Sequence, residues 1–230
     1  MAGGRRHRSA VLALLAAAVA IGVVGAMIVG MRRGDRPTSC RQWVPGVAVD
    51  GVALDYTGYG QAEVCRLGSG RLWRLSPLRA SAPAVTHSAL ARTTVTYADM
   101  LLRVRVRTAR QLRHPRPEPW EVAWVVWQHT DDRHFYSLVL KPNGWELGKE
   151  DPAYPGSQRF LRTSDKPRYD IGEWHTVEIR QRGDAIAAEV DGRSLVRLRD
   201  QERPYLTGRV GLYTEDATAE FTDLRVHPGG

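Results

Sequence analysis

The sequence lacks the short motifs that mark the common nucleotide-binding and nucleophilic sites. No GxGxxG, P-loop or GxSxG pattern occurs in its 230 residues, and no unit of about 20–50 residues repeats. Cysteine is also scarce, since the chain contains two, without a CxxC pair and without clustered histidines. A structural zinc site is therefore not expected. Together these absences argue against nucleotide-binding, α/β-hydrolase and repeat architectures.

A strong excess of positive charge is missing from most of the chain. The formal net charge is +8, but residues 1–36 contain six Arg and one acid, Asp35, and so account for +5. The remaining 194 residues carry only +3. That surplus is too small to indicate binding to nucleic acid, and we expect no nucleic-acid partner.

One long apolar run is present, with 22 residues from Ala10 to Met31 that include no charge and no strong polar group. About 20 such residues span a bilayer, so the run predicts an uncleaved transmembrane signal-anchor helix. A cleaved signal peptide is the alternative, with its small-residue site at Ala18-Val19-Ala20, although a signal core is usually about 7–15 residues long. The predicted segments are a cytoplasmic basic tail (1–9), the transmembrane helix (10–31), a linker (32–39) and an extracytoplasmic domain (40–230).

The orientation of this anchor is indicated only weakly by charge, because Arg residues flank both of its ends. The two cysteines, Cys40 and Cys65, favour the same orientation. A pair of cysteines is typical of one disulfide in an oxidising compartment, whereas two free thiols would suit a cytoplasmic domain. We therefore expect a single-pass protein of the cell membrane with its C-terminal domain outside the cytoplasm.

Beyond residue 36 the hydrophobic pattern has a period of two, which is typical of strands. Leu102, Val104 and Val106 alternate with arginines, and Val122 to Trp127 is apolar on both faces, as in a central strand. Asp191-Gly192 is a strong hairpin signal. Three prolines exclude a central strand from residues 113–119. Further strands are predicted at Val47–Leu54, Arg71–Leu75, His134–Leu140, Trp145–Leu147, Val177–Ile179, Ile186–Val190, Leu195–Leu198, Arg209–Tyr213 and Ala219–Val226. The fold predicted is an all-β antiparallel sandwich or jelly roll.

A set of strand and turn motifs in the second half supports a family resemblance. The motifs are Trp127…Asp132-Arg-His-Phe-Tyr, Asn143-Gly144, Gly172-x-Trp174-His175, Val190-Asp191-Gly192, Gly208-Arg-Val-Gly211-Leu-Tyr and Phe221-x-Asp223-x-x-Val226. Over residues 95–228 the chain resembles the concanavalin A-like lectin/glucanase superfamily, and within it the 3-keto-disaccharide hydrolase (family 16 glycoside hydrolase-like) domain. The resemblance implies two curved antiparallel sheets packed face to face, with sugars bound on the concave sheet.

The paired carboxylates of laminarinase-type relatives are absent. Those enzymes carry a Glu-x-Asp-x-x-Glu strand, and no stretch of this sequence has that spacing. Glu146 and Glu150 could share one strand face, but at about 3.3 Å per residue they lie about 13 Å apart, too far for retaining or inverting hydrolysis. The sequence therefore disfavours a glycosidase of that type.

The richest stretch for a binding site runs from Trp127 to Phe160, because sugar sites need an aromatic platform and charged groups that hold the hydroxyls. The predicted ligand-binding residues are Trp127, His134, Lys141, Trp145, Glu146 and Glu150. Both tryptophans could equally be core residues of the sandwich, and Glu146 a solvated edge carboxylate. His134 and Glu146 are the weak candidates for a catalytic base.

A structural calcium ion is a further expectation that the resemblance implies. Asp223 occupies the matching place near the last strand, and Asp50 could lie opposite it. Calcium needs six to eight oxygen ligands, several of them backbone carbonyls that a sequence does not reveal. The alternative is that Asp223 caps a turn or faces water.

Three functions remain open at this point. The leading hypothesis is a membrane-anchored glycan-binding module without a catalytic role. The second is a hydrolase or lyase acting on a keto-disaccharide, with His134 or Glu146 as its base. The third is a structural module that braces other envelope proteins.

Arg103, Arg105 and Arg107 form a basic stripe that could contact an anionic polymer or lipid, or could simply be a solvated face.

Overall fold

The computed structural model describes residues 37–229, and within that span all regular secondary structure is β-strand. The strands are β1 (Thr38–Gln42), β2 (Ala48–Val49), β3 (Val52–Tyr56), β4 (Gln61–Leu67), β5 (Gly70–Ser76), β6 (Ser88–Thr93), β7 (Met100–Gln111), β8 (Ala123–Asp131), β9 (His134–Lys141), β10 (Gly144–Glu150), β11 (Gln158–Ser164), β12 (His175–Arg182), β13 (Ala185–Val190), β14 (Arg193–Arg199), β15 (Arg209–Glu215) and β16 (Ala217–Pro228). These residues include no helix long and apolar enough to cross a membrane. The predicted tail and membrane segment lie outside the described residues.

The strands form two eight-stranded antiparallel sheets. Sheet 1 has the order β1-β4-β5-β16-β7-β12-β13-β14, and sheet 2 has the order β11-β10-β9-β8-β15-β6-β3-β2. Side chains from both sheets meet in one large apolar cluster. The predicted all-β sandwich is therefore confirmed.

Alternation along the strands explains how each sheet acquires two faces. In β7 Leu102, Val104 and Val106 are buried in the main core, while the arginines between them point outward. Burying such side chains contributes roughly 1.5–3 kcal/mol each. In β8 Trp127 belongs to the main core, whereas Trp124 belongs to a second, smaller apolar cluster. Sheet 2 is thus apolar on both faces at its centre, as the unbroken run predicts.

Turn residues account for several of the connections between strands. Asp191 and Gly192 both have positive φ, as the predicted β13–β14 hairpin requires. The proline-rich stretch 113–119 lies between β7 and β8, in agreement with the prediction of a loop. The single strand predicted from Val47 to Leu54 is wrong, because Asp50 and Gly51 have φ of 51° and 78° and turn the chain between β2 and β3.

The disulfide joins Cys40 of β1 to Cys65 of β4. It fastens the exposed leading strand to the edge of sheet 1, where Arg41 pairs with Val64. The predicted cysteine pairing is confirmed.

Candidate functional site

The face of sheet 2 that points away from sheet 1, here called the outer face, carries the unusual chemistry of the molecule. Its centre is the second apolar cluster, made of side chains from β6, β8 and β9 together with Val122. Polar groups stand at both ends of this cluster. Because neighbouring strands are in register, side chains of four different strands line up across the sheet.

One such line, here called the polar row, crosses the face where β9 begins. Glu150 of β10 pairs with Phe135 of β9, and Arg209 of β15 pairs with His129 of β8. The rings of Phe135 and His129 stack with an interplanar angle of 7° and centroids 5.2 Å apart, which closes the gap between the two pairs. A carboxyl group, a phenyl ring, an imidazole and a guanidinium therefore follow one another across the strands.

A local bulge sets the position of His129. Gln128 has a φ of 49° and lies within the register shift between β8 and its neighbours. The backbone of Gly208 packs directly against it, so closely that a Cβ at Gly208 would come within 2.2 Å of the Gln128 carbonyl carbon. Bulges next to binding sites re-aim side chains in this way. Here the bulge places His129 on the outer face, beside Arg209.

Arg92 of β6 determines the tautomer of His129 and helps to keep its imidazole uncharged. Its guanidinium donates two hydrogen bonds of 2.7 Å to Asp55 and a third, of 3.2 Å, to Nδ1 of His129. Nδ1 must accept, because a guanidinium carries only donors. Burial, and then the charge of Arg92, lowers the pKa of His129 to about 4. The ring is therefore neutral at physiological pH, with its proton on Nε2, 3.9 Å from an oxygen of Asp132.

A cleft of about 360 Å³ opens between His129 and Arg209. Besides these two residues and Arg92, its walls include the hydroxyls of Thr96, Thr130 and Thr207. Arg209 is half-buried, and no residue between 37 and 229 forms an ion pair or hydrogen bond with its guanidinium. The cleft therefore presents one uncommitted cation and several hydroxyls.

Glu150 is the corresponding uncommitted acid. Its carboxyl group is half-buried and has no hydrogen bond or ion pair with any described residue. Burial, with a smaller contribution from the charge of Glu215, raises the pKa of Glu150 to about 7. A carboxyl group of this kind is partly protonated near neutral pH and can donate as well as accept a proton.

The chain segment that walls the cleft is held from inside the sandwich. Lys149 points inward and is fully buried, and its ammonium group donates to Asp200 and to the carbonyls of Glu202 and Arg203, each at 2.7 Å. The hydroxyl of Tyr136 donates to the same carboxylate at 2.6 Å. This buried network positions the segment that leads to Thr207 and Gly208.

The next line of side chains is small. Gly148, Ser137, Val126 and Gly211 pair in sequence across four strands. At the edge of the sheet this line ends in Phe160 of β11, which pairs with Gly148 and is 51% exposed. Aromatic rings exposed in this manner stack against the C–H faces of sugars.

The opposite end of the outer face is already satisfied by internal contacts. Lys141 forms an ion pair with Glu146, and the hydroxyl of Tyr213 donates to Glu215 at 2.7 Å. Trp124 packs edge-on against Tyr213. These groups can shape the site, but they have few free donors or acceptors.

The structure separates the predicted ligand-binding residues into groups. Trp127 and Trp145 lie in the main core, where their indole N–H groups donate to Gln181 and to the carbonyl of Lys166. These are the positions expected for core residues. Lys141 and Glu146 are brought together by their ion pair, and Glu150 lies in the polar row.

His134 lies next to this row, at the tip of the β8–β9 hairpin. It is paired with Asp131 at 2.8 Å and lies edge-on to Tyr205.

Four residues of the site were not selected from the sequence, namely Arg92, His129, Arg209 and Phe160. The signal that could have indicated Phe160 is its position in a strand that follows a turn with two prolines and one glycine. The other three converge through the bulge and through cross-strand pairing, which no local pattern reveals.

The predicted calcium site has no assembled set of ligands in the structure. Among residues 37–229, no three His, Cys, Asp or Glu side chains are grouped so that they could hold a metal ion. Asp50 pairs with Arg71 at 3.0 Å, and Asp223 lies 3.8 Å from Arg105. Calcium binding stays a prediction.

Comparison with known families decides the relationship. The family model of the 3-keto-alpha-glucoside-1,2-lyase-like domain matches residues 80–227, well over half of the chain. The chain belongs to this family. Its match begins just before β6 and so includes every strand of the polar row.

Solved structures agree with this family at the level of the fold. Carbohydrate binding module CBM66 from Bacillus subtilis is 13% identical, with a TM-score of 0.55, and the match covers 80% of this chain and 99% of the module. The laminarinase catalytic domain from Thermotoga maritima is 12% identical, with a TM-score of 0.53 and coverage of 85% and 98%. Family and fold place the chain in the concanavalin A-like lectin and glucanase superfamily.

A short sequence match also exists to human sex hormone-binding globulin. It is 44% identical over 43 residues, which are 19% of this chain and 11% of that protein. The chain therefore matches only about a tenth of that relative's length.

Proposed function

We propose that this protein binds carbohydrate on the outer face of sheet 2, at the polar row and the adjoining Phe160. The observation that carries the proposal is the combination of one exposed aromatic ring with an uncommitted acid and an uncommitted cation on the same face. Sugar sites combine an apolar platform with a few polar groups in this way. The family membership and the likeness to a carbohydrate binding module support the same function.

We propose further that binding, rather than bond cleavage, is the main role. Two carboxylates of this face are neutralised by cations, Glu146 by Lys141 and Asp55 by Arg92. Glycosidases of the laminarinase type need two free carboxyl groups on opposite sides of the scissile bond. The pairing of these acids supports a non-catalytic module.

The experiment is a glycan array probed with the purified full-length chain in a mild detergent. We expect binding to a subset of glycans, and we expect Phe160→Ala to weaken it by about tenfold, in line with loss of a stacked ring. Tyr59→Ala is the matched control, because Tyr59 is 84% exposed and lies outside the site, in the turn between β3 and β4. Equal binding by both variants and the parent protein would contradict the proposal.

One observation favours a second candidate, a lyase or hydrolase acting on a keto-sugar. A carboxyl group with a pKa of about 7, as in Glu150, is suited to proton transfer near neutral pH. The neutral imidazole of His129 in the same row could orient a sugar oxygen. Release of product from 3-keto-disaccharides by the parent protein, lost in Glu150→Gln, would favour this function over simple binding.

The anchoring of the protein is also a proposal. The apolar run 10–31 supports a single membrane span, and the disulfide between Cys40 and Cys65 supports an oxidising compartment for the domain. We expect the protein to stay in the membrane pellet after alkaline extraction, and the domain to be digested by protease added outside intact cells. Release into the soluble fraction would contradict the anchor.

A further inference from the structure

The cleft at the end of the polar row has a chemical bias that goes beyond carbohydrate binding in general. Arg209 is its distinguishing residue, since it is half-buried as a residue and its guanidinium has no partner among the described residues. Several arginines on the other sheet are instead paired with acids, as at Arg74, Arg105 and Arg107. A cation withdrawn from water without a counter-ion is unfavourable unless a ligand supplies one.

The other charges around the cleft leave Arg209 unbalanced. Arg92 is neutralised by a bidentate contact with Asp55, and His129 is uncharged. Two further acids lie in the β8–β9 hairpin: Asp131 is paired with His134, and the side chain of Asp132 is 76% exposed. The lining itself includes no carboxylate.

From this arrangement we propose that the cleft recognises the carboxylate of an acidic sugar, a uronic acid residue of the bound glycan. This inference rests on the proposed carbohydrate function and names its substrate class. The guanidinium fork matches a carboxylate in a bidentate manner, and a single net positive charge matches a monoanion. The Nε2–H of His129 and the hydroxyls of Thr96 and Thr207 lie around the same cleft and can bind the ring hydroxyls of that sugar.

The test uses the full-length chain with four defined probes at constant ionic strength. They are D-glucuronate, D-galacturonate, D-glucuronic acid methyl ester and D-glucose 6-sulfate, each titrated by ligand-observed NMR. We expect at least one uronate to bind about tenfold or more tightly than the ester, because a charge-assisted bidentate contact is lost on esterification. In Arg209→Gln we expect the uronate affinity to fall to that of the ester.

The control is Arg66→Gln, since Arg66 is exposed on β4 of the other sheet. It should leave all affinities unchanged, and the unfolding temperature of both variants should match that of the parent. Failure of any uronate to bind, tighter binding of the sulfate, or an equal loss for charged and uncharged probes in Arg209→Gln would each overturn the inference.

The same data separate this inference from the proposed function. If neutral glycans bind in a manner that needs Phe160 but not Arg209, the proposed site stands and the acidic-sugar inference fails. If neutral glycans are indifferent to Phe160→Ala while uronates still need Arg209, the platform is wrong and the acidic subsite stands.

Discussion

The outer faces of the two sheets differ in whether their partly buried charged side chains have a partner of opposite charge. On sheet 1, Glu220 is 3% exposed and holds both Arg74 and Arg107, while Trp174 lies beneath the guanidinium of Arg107, 4.8 Å from its ring centroid. On sheet 2, Arg209 and Glu150 have no charged partner within hydrogen-bonding reach among the residues described. Both faces are rich in polar groups, but the buried acid of sheet 1 is paired with two arginines, whereas two partly buried charges of sheet 2 have no such partner.

This difference helps to distinguish charged side chains that stabilise the fold from those that are available to bind a ligand. The arginines at 103, 105 and 107 form a stripe in the sequence, yet Glu178, Asp223 and Glu220 lie opposite them. Each arginine of the stripe therefore has an acidic neighbour within 4.0 Å, which argues against the stripe as an anion-binding surface. Unpartnered, partly buried charges are the better indicator of a site, because their desolvation is not yet compensated.

The largest expected loss of stability comes from removing the buried carboxylate of Glu220 on sheet 1. Glu220→Gln removes a carboxylate that accepts hydrogen bonds from Arg74 at 2.9 Å and from Arg107 at 2.8 Å. It leaves the partly buried Arg107 without a counter-ion and Arg74 with Glu63 alone, 2.6 Å away, and we expect the free energy of unfolding to fall by about 3 kcal/mol. Urea denaturation of the full chain measures this.

Glu178→Gln is the matched control on the same face. Its contact with Arg103 is 3.6 Å long and exposed, so the loss should stay below about 1 kcal/mol. Arg209→Gln on the other sheet should change stability by less than about 0.5 kcal/mol. Equal losses at Glu220 and Arg209 would remove the distinction between the two faces.

The next largest expected loss of stability comes from changing the backbone geometry of the bulge on the outer face of sheet 2. Gly208→Ala places a Cβ within 2.2–2.6 Å of the backbone of Gln128, which has no flexible side chain there to move aside. We expect a loss of about 2 kcal/mol from overpacking, together with weaker glycan binding because the bulge that positions His129 must shift. Unfolding and array binding report the two effects.

Gly70→Ala in sheet 1 is the control for that substitution. A Cβ there meets its nearest neighbour at an ordinary 3.5 Å, and the backbone angle is not in the left-handed region. If Gly208→Ala proved as harmless as Gly70→Ala, the close contact would not hold the bulge in place.

The parts of the fold that depend on residues close in sequence could be predicted, whereas contacts between residues far apart in sequence could not. The alternation in β7 and the Asp191-Gly192 turn are local signals, and both predicted the structure. The Asp50-Gly51 turn was an equally local signal that a continuous apolar pattern concealed. The buried Lys149 could not be foreseen, because its partner Asp200 is 51 residues away.

The site was predictable only in part, for the same reason. Trp124 and Trp127 are three residues apart, and in an extended strand that spacing puts them on opposite faces, but which one faces the core depends on the packing of the other sheet. Glu150, which the sequence analysis predicts to bind ligand, lies on this face, and its role stays a prediction. The contact of Arg92 with His129 spans 37 residues and passes through a bulge, so no spacing rule announces it.

The smallest expected effect tests whether Glu150 is as free as its surroundings indicate. Its pKa is about 7 in the folded chain and near 4.5 when exposed, so the folded state holds the extra proton between those values. Stability should therefore fall as pH rises from about 4.5 to about 7 and then level off. Because the group is only half-buried, solvent screening limits the contribution to about 1 kcal/mol or less.

Glu150→Gln should remove that part of the pH dependence, measured as the difference in unfolding free energy between variant and parent across the range. Glu173→Gln, at an exposed acid in the loop before β12, should leave the difference flat. A flat difference for Glu150→Gln as well would mean that its carboxyl group is fully solvated. It would then be unsuited to proton transfer, and the comparison of the two faces would rest on Arg209 alone.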